Sequence, residues 1–153
     1  MQVTEPLLKV AVPNKGSLSE SARTMLLSAG YRQRTDSKEL TLIDPDHNVE
    51  FYYLRPRDIA IYVGRGDLDV GITGRDMLLD SRAAAKEIMG LGFGGSTFRF
   101  AAKAGSGIDE TKLEGKRIAT SYAGLLGTYL EDRGVHAEIV ELDGAVESSI
   151  RLG

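Results

Sequence analysis

Four times along this chain, an apolar segment typical of a buried strand is followed by a short turn that can open a helix. The four turns lie at residues 13–17, 73–76, 120–122 and 143–145. Strands that alternate with helices in this way are typical of α/β proteins with a parallel sheet. In such a sheet the strand-to-helix turns share the carboxyl edge, where open α/β folds bind ligands. The pattern therefore predicts an α/β fold with candidate binding loops at that edge.

The first half of the chain predicts one α/β lobe. Residues 7–12 (LLKVAV) form an apolar run ended by Pro13, as expected for a buried strand. Residues 44–48 are rich in turn formers and predict a hairpin between the two extended segments that flank them. The predicted elements are a strand at 7–12, a helix from Gly16-Ser17 to Gly30, strands at 39–43 and 49–54, a helix at 56–63, a strand at 68–73 and a helix from Gly74.

A glycine-rich segment, residues 90–96 (GLGFGGS), interrupts this alternation. It predicts a crossing between two lobes, residues 1–94 and 95–153. The second lobe repeats the α/β pattern. Its predicted elements are strands at 97–102, 116–120 and 138–142, a helix at 122–132 and a final helix after Asp143-Gly144.

The turns also carry groups suited to anions. Glycine lets a ligand approach the backbone closely, and the N–H groups at a helix start attract negative charge. Lys15 and Arg75 add full positive charges at two of the turns. The structural alternative is that Ser, Thr, Asp and Gly are simply good helix caps, which any α/β protein needs. Two such turns in each lobe predict a phosphorylated small molecule held between the lobes.

Arg55 and Arg57 stand where an extended run meets a helix, and both could bind phosphate as forked donors. The alternative for Arg57 is a local surface ion pair with Asp58, which would contribute little. Glu147 could accept hydrogen bonds from ribose hydroxyls, or it could be an ordinary first-turn acid that suits the helix dipole. The sequence leaves these alternatives open.

Composition excludes several classes of protein. The 153 residues carry a net charge of −3 and no cysteine, which argues against nucleic-acid binding, disulfides and thiol chemistry. No signal pattern opens the sequence and no apolar run could span a bilayer, so we expect a cytoplasmic protein. His47 and His136 have no spaced partner for a metal site or a triad, and we expect both at the surface.

The chain resembles the ATP phosphoribosyltransferase family, above all its actinobacterial members, over almost its whole length. The segments that carry the resemblance keep the family's order and spacing. They are VAVPNKGSLSE (10–20), DSKELTLIDP (36–45), VEFYYLRPRDIAIYV (49–63), GDLDVGITGRD (66–76), LGFGGSTFRFA (91–101), KRIATSY (116–122) and LDGAVE (142–147).

The resemblance implies a two-lobed fold like that of type II periplasmic binding proteins. It implies a reaction in which N1 of the ATP adenine displaces pyrophosphate from C1 of phosphoribosyl pyrophosphate, with Mg²⁺ held mainly by pyrophosphate oxygens. It also implies substrate-binding roles for a set of turn residues, among which Lys15 and Arg57 are electrostatic candidates for catalysis. The set is Lys15, Gly16, Ser17, Arg55, Arg57, Gly71, Thr73, Gly74, Thr120, Ser121, Tyr122, Asp143, Gly144 and Glu147.

Two departures from the family pattern matter. In the family, a strand with the phosphoribosyl-binding loop follows the position of Gly153, and a return segment and a regulatory domain come later. We therefore expect a truncated fold here, with little activity for this chain alone and a homo-oligomer at full length. In addition, the family's Tyr-Pro and basic residue are replaced by Tyr122-Ala123-Gly124 and the residues after it, which weakens a phosphate role for that turn.

Two other functions remain open at this stage. A non-catalytic two-lobed module that binds a small anion would have a similar fold, and fold alone does not decide function. A regulatory or structural relative would contribute only an interface. Loss of nucleotide binding on substitution of Lys15 or Arg57 would separate the enzyme from the latter.

Overall fold

A computed structural model describes residues 6–144 and 146–152. The chain divides into two compact units, Met1–Gly95 and Ser96–Gly153. The elements of the first unit are β1 (Leu8–Pro13), α1 (Ser17–Ser28), β2 (Thr41–Asp44), β3 (Val49–Leu54), α2 (Pro56–Gly64), β4 (Val70–Gly71) and α3 (Arg75–Ser81). The second unit contains β5 (Arg117–Thr120), α4 (Ala123–Asp132), β6 (Glu138–Glu141) and a 3₁₀ helix (Val146–Leu152). The mixed α/β class is confirmed.

The first unit is built on a four-stranded sheet in the order β2-β3-β1-β4. β1 is parallel to both β3 and β4, whereas β2 returns antiparallel to β3. The predicted hairpin is therefore confirmed. Because β1, β3 and β4 run in one direction, the turns that follow them meet at one edge of the sheet.

Side chains of β1 alternate between two apolar layers, as the period of a strand requires. Val10 and Val12 pack with Ala22 and Leu26 of α1 on one face. Ala11 packs with Ile59 of α2 on the other face. The sheet is thus covered by a helix on each face, which is why the strand sequence is almost continuously apolar.

The hairpin turn is organised by the carboxylate of Asp44, which is fully buried. It accepts hydrogen bonds from the backbone N–H groups of Arg32, Asp46 and His47 at 2.9 to 3.3 Å, and His47 Nδ1 lies 2.9 Å from it. The Arg32 N–H is the main cause of a lowered Asp44 pKa, against the opposing effect of burial. His47 also packs against the ring of Tyr31 at 4.6 Å. It therefore belongs to the turn's own framework.

Three predicted elements differ in the structure. No strand forms at 97–102, because no strand in the described part of the chain pairs with this segment. Phe98 instead contacts the ring of Tyr122, and Phe100 contacts the ring of Tyr129. β4 is reduced to Val70–Gly71, although the N–H groups of residues 69 and 72 still bond to β1 carbonyls. The last helix is a 3₁₀ helix rather than an α-helix.

The second unit is smaller. β5 and β6 pair in parallel, with Arg117 opposite Glu138 and Thr120 opposite Glu141. Leu113 and Leu130 are its buried apolar side chains among the described residues. No helix in the described part of either unit is long and apolar enough to cross a membrane.

Candidate functional site

The first unit gathers three turns at the carboxyl edge of its sheet. They follow β1, β3 and β4 and open α1, α2 and α3 respectively. Two direct bonds link them: the N–H of Asn14 donates to the Leu54 carbonyl at 2.8 Å, and the Thr73 hydroxyl donates to the Pro56 carbonyl at 2.9 Å. The edge therefore forms one connected surface in which α2 begins between the other two turns.

The turn after β1 presents Lys15, Gly16 and Ser17 to solvent. Gly16 adopts a φ of 88°, a left-handed conformation that favours glycine. Within described residues 6–144 and 146–152, no acceptor is paired with the N–H groups of these three residues, and no side chain caps α1. An ammonium group and three consecutive N–H donors thus share one exposed turn.

The two arginines of the second turn have different surroundings. Arg55 is largely exposed and pairs with Asp58, Nε to Oδ2 at 3.1 Å. Arg57 pairs with Asp80 of α3 at 2.7 Å, and only 9% of the Asp80 side chain is exposed. The predicted alternative of an Arg57–Asp58 pair is therefore wrong, because Asp58 faces Arg55. Asp80 anchors Arg57 at the sheet edge.

The turn after β4 is shaped by two glycines. At Gly71 an added Cβ would lie 2.4 Å from Ile59 Cγ2 of α2, so the close approach of β4 and α2 needs glycine. At Gly74 an added Cβ would lie 2.2 Å from Asp76 Oδ1, the atom that accepts the Met77 N–H at 2.8 Å. Gly71 thus faces α2, whereas Gly74 starts α3 at the edge.

Arg75, which the sequence suggested as a further anion-binding charge, is engaged with Glu87. Its Nε and Nη2 donate to the two carboxylate oxygens at 2.8 and 2.6 Å. These bonds raise the pKa of Arg75 and lower the pKa of Glu87. Arg75, like Arg55 and Arg57, therefore already has a carboxylate partner, and Lys15 is the cation at this edge that has none among the described residues.

The second unit has two turns at the carboxyl edge of β5 and β6. The Leu142 N–H donates to the Thr120 carbonyl at 2.8 Å, which holds the turns side by side. Thr120 Oγ1 accepts the Tyr122 N–H at 2.9 Å, and the Tyr122 ring meets Phe98 edge-on at 4.9 Å. The predicted residues that follow β6 are exposed; they are Asp143, Gly144 and Glu147. Ala145 lies outside the described residues.

Three side chains beside the first-unit turns were not identified from the sequence. Asp80 lies near the end of α3, and Asn14 and Arg34 lie in or under the turn after β1. A polar run such as residues 32–37 (RQRTDS) gives no sign that one of its arginines is buried. Asn14 was part of a recognised turn, but its position gave no reason to expect its Oδ1 to be buried without a partner among the described residues.

The arrangement suits binding and charge stabilisation. Among the described residues, no group of three His, Cys, Asp or Glu side chains lies close enough to hold a metal ion. His136 sits at the surface of the second unit, where its Nδ1 lies 3.2 Å from Glu114. Within the described part of the chain, the cationic and N–H groups of the turns are therefore the groups suited to bind an anion such as phosphate.

Comparison with known proteins points to one family. The sequence model described as ATP phosphoribosyltransferase matches residues 55–153. The chain is 65% identical over 147 residues to an ATP phosphoribosyltransferase of Pseudarthrobacter chlorophenolicus, covering 96% of this chain and 52% of that protein. It is 62% identical over 149 residues to the Micrococcus luteus protein of the same name, with 96% and 53% covered. The chain thus spans about half the length of the curated relatives it matches.

A solved structure extends the comparison to the fold. The ATP phosphoribosyl transferase (HisG:HisZ) complex from Thermotoga maritima contains a chain that superposes with a TM-score of 0.68 at 27% identity. The match covers 96% of this chain and 70% of that one. The sequence and the backbone of this chain are therefore both similar to those of proteins named as ATP phosphoribosyltransferases.

Proposed function

Because this chain belongs to the ATP phosphoribosyltransferase family, we propose that it serves the reaction in which ATP and phosphoribosyl pyrophosphate give phosphoribosyl-ATP and pyrophosphate, at the start of histidine biosynthesis. In that reaction adenine N1 donates its electron pair to C1 of the ribose. The bond from C1 of phosphoribosyl pyrophosphate to the pyrophosphate oxygen breaks, and pyrophosphate leaves with the electron pair of that bond. Both substrates are cytoplasmic metabolites, which assigns the enzyme to the cytoplasm.

The observation that carries the proposal is the turn at residues 14–17. It combines the Lys15 ammonium with N–H groups that have no acceptor in the described part of the chain. Such groups, fixed before a ligand arrives, stabilise phosphate charge without reorganising when it binds. Displacement at an anomeric carbon needs alignment and stabilisation of the leaving group's charge more than a protein nucleophile. Lys15 and Arg57 would supply the positive charge that stabilises the leaving group, and Arg55 would assist them.

The remaining predicted residues take subsidiary places in the proposal. Gly71, Thr73 and Gly74 would border the nucleotide. In the second unit, Thr120, Ser121, Tyr122, Asp143, Gly144 and Glu147 would bind the substrates, with Glu147 accepting from ribose hydroxyls. We further assign the fold to the two-lobed type II periplasmic-binding-protein class, with lobes divided near residue 95, and the full-length protein to a homo-oligomer.

In the proposed reaction, Mg²⁺ binds together with phosphoribosyl pyrophosphate. Mg²⁺ retains water and is commonly bound through substrate phosphates with few protein ligands. The described residues offer no acidic cluster for it, so pyrophosphate oxygens are its proposed main ligands. When bound there it would supply charge neutralisation of the leaving pyrophosphate, beside the positive charges of Lys15 and Arg57.

Calorimetric titration with ATP, and separately with phosphoribosyl pyrophosphate plus Mg²⁺, tests the proposal. Binding is the primary readout because the chain spans about half the length of its relatives. We expect Lys15→Ala to weaken binding of a phosphorylated ligand by about tenfold, the loss of one charged hydrogen bond. Lys9→Ala is the matched control, because Lys9 is an exposed lysine near the start of β1, the strand whose far end leads into the turn that carries Lys15. A folded chain that binds neither ligand would contradict the proposal, as would equal losses in the two variants.

A further inference from the structure

Arg34 is a buried cation at the foot of the turn that follows β1. Only 9% of the residue is exposed. Its Nη1 donates to the carbonyl oxygens of Ser37 at 3.0 Å and Glu39 at 2.8 Å, and its Nη2 donates to the carbonyl of Asn14. The guanidinium carbon lies 4.1 Å from the centre of the Tyr53 ring. The side chain therefore joins the turn after β1 to the loop before β2.

No carboxylate in the described part of the chain forms an ion pair with Arg34. Burying a cation is costly unless hydrogen bonds and a π face compensate it. Here the three hydrogen bonds that the two Nη atoms donate all go to main-chain carbonyls. A guanidinium can serve three carbonyls in one plane because its donors have a fixed fork geometry, which an ammonium group cannot reproduce.

The ring beneath Arg34 is itself held in place. The hydroxyl of Tyr53 accepts the Arg34 N–H at 3.1 Å and donates to Gln33 Oε1 at 3.1 Å. Burial raises the pKa of Tyr53, so this hydroxyl stays protonated through neutral pH. Arg34 is therefore fixed at both its backbone and its side chain by β3, the strand next to β1.

Both backbone groups of Asn14 are consequently bound. Its N–H donates to Leu54 at 2.8 Å, and its carbonyl accepts from Arg34. The peptide from Asn14 to Lys15 is planar and trans, so its carbonyl and its N–H point in opposite directions. The bond to Arg34 thus aims the Lys15 N–H away from the protein interior, and Lys15, Gly16 and Ser17 follow from a fixed starting point.

We propose that Arg34 is a positioning residue, which fixes the Asn14–Lys15 peptide so that the backbone N–H groups of residues 15–17 are aligned for substrate phosphate. The inference rests on the proposed function for its ligand. Arg34 is assigned no contact with the phosphate, because only 9% of the residue is exposed and its Nη atoms donate to carbonyls. Its contribution is to restrict the conformational freedom of the turn before the ligand binds. Without Arg34, that freedom would have to be lost on binding, at a cost in affinity.

Arg34→Lys tests this, because it keeps the positive charge and loses the fork. Val49→Ala is the control: Val49 is a buried core residue at the start of β3, at the edge opposite the turns. Two readouts are compared in folded samples of each variant. The first is the ¹⁵N order parameter of the Lys15 and Gly16 amides without ligand. The second is the calorimetric affinity for ATP and for phosphoribosyl pyrophosphate with Mg²⁺.

We expect Arg34→Lys to lower the order parameters of the Lys15 and Gly16 amides and to weaken binding by about tenfold, whereas Val49→Ala lowers only the melting temperature. Unchanged amides in Arg34→Lys would overturn the inference whether or not any ligand binds. Wild-type affinity in Arg34→Lys would overturn it while leaving the proposed function intact. Mobile amides in a protein whose wild type binds neither ligand would support the positioning of the turn and reject the proposed function.

Discussion

The Thr73 hydroxyl donates a 2.9 Å hydrogen bond to the carbonyl oxygen of Pro56, the first residue of α2. Pro56 comes directly between Arg55 and Arg57, so this bond connects the turn after β4 to the two arginines proposed to bind phosphate. The carbonyl at a helix start is committed to the helix ladder, but an oxygen has two lone pairs and can accept a second donor. Thr73 thereby fixes the angle at which α2 leaves the sheet.

Replacing Thr73 with Val keeps the shape of the side chain and removes the donor. We expect Thr73→Val to lower the free energy of unfolding by about 1 kcal/mol and to weaken binding of phosphorylated ligands, because α2 is then less firmly placed. Urea unfolding and calorimetry measure the two effects. Thr73→Ser keeps the hydroxyl and is the matched control. Equal affinities for Thr73→Val and wild type would show that the bond has no part in the site.

Gly71→Ala tests the close approach of β4 to α2. The new methyl group would lie 2.4 Å from Ile59 Cγ2 and 3.2 Å from Val63 Cγ2. We expect a loss of about 1–3 kcal/mol in unfolding free energy, as for overpacking in a core. Combining it with Ile59→Ala should cost less than the sum of the two single changes, since they share one contact. Gly95→Ala, where an added Cβ meets nothing within 4 Å, serves as the control.

The two arginines at the start of α2 should differ in their effects on stability. Arg57→Ala removes a 2.7 Å ion pair with the nearly buried Asp80, and we expect a loss of about 1–3 kcal/mol. Arg55→Ala removes an exposed pair with Asp58, which we expect to cost under about 1 kcal/mol. Chemical denaturation separates the two. Both variants should nevertheless bind phosphorylated ligands more weakly, and a loss confined to one would assign phosphate binding to that arginine alone.

The buried carboxylate of Asp44 should make the first unit sensitive to acid. Its pKa is lowered in the folded chain, chiefly by the Arg32 N–H, so its contribution to stability is present above the unfolded value of about 4. That contribution is lost as the pH falls through the lower folded value. We expect Asp44→Asn to unfold more easily than wild type at neutral pH, with the difference shrinking below about pH 4.

Thermal unfolding between pH 2 and 7 checks this expectation. Asp46→Asn is the comparison, because Asp46 is largely exposed and only pairs with Arg32 at 3.3 Å. A difference between Asp44→Asn and wild type that is constant across this range would show that ionisation of Asp44 does not stabilise the fold.

The sequence predicted those parts of the fold whose causes are local. Proline at the start of α2, turn formers between β2 and β3, and the apolar run of β1 each act within a few residues. The strand predicted at 97–102 failed because a strand needs a neighbour to pair with, and the alternating Phe98 and Phe100 carry no information about one. The same limit applies to the short β4, which is set by its register with β1.

The residues of the candidate site show the same difference between local and long-range causes. Lys15, Gly16, Arg55 and Arg57 could be proposed as site residues because they stand in turns that the sequence marks. Arg34 and Asp80 could not, because their roles depend on what lies across the fold: the carbonyl of Asn14 for one and the guanidinium of Arg57 for the other. Pairings between distant residues follow from packing and leave no periodic trace in the sequence.

β1 precedes both of its neighbours in the chain yet lies between them. Its Leu8 pairs with Val49 and its Val10 with Val70, separations of 41 and 60 residues. On the ribosome this apolar strand is therefore made well before either partner emerges, and it remains unpaired while residues 14–48 are added. Contacts so distant in sequence form slowly, and unpaired strands attract other chains. The position of β1 thus leaves an apolar strand of the nascent chain without its partner until the end of β3 has left the exit tunnel.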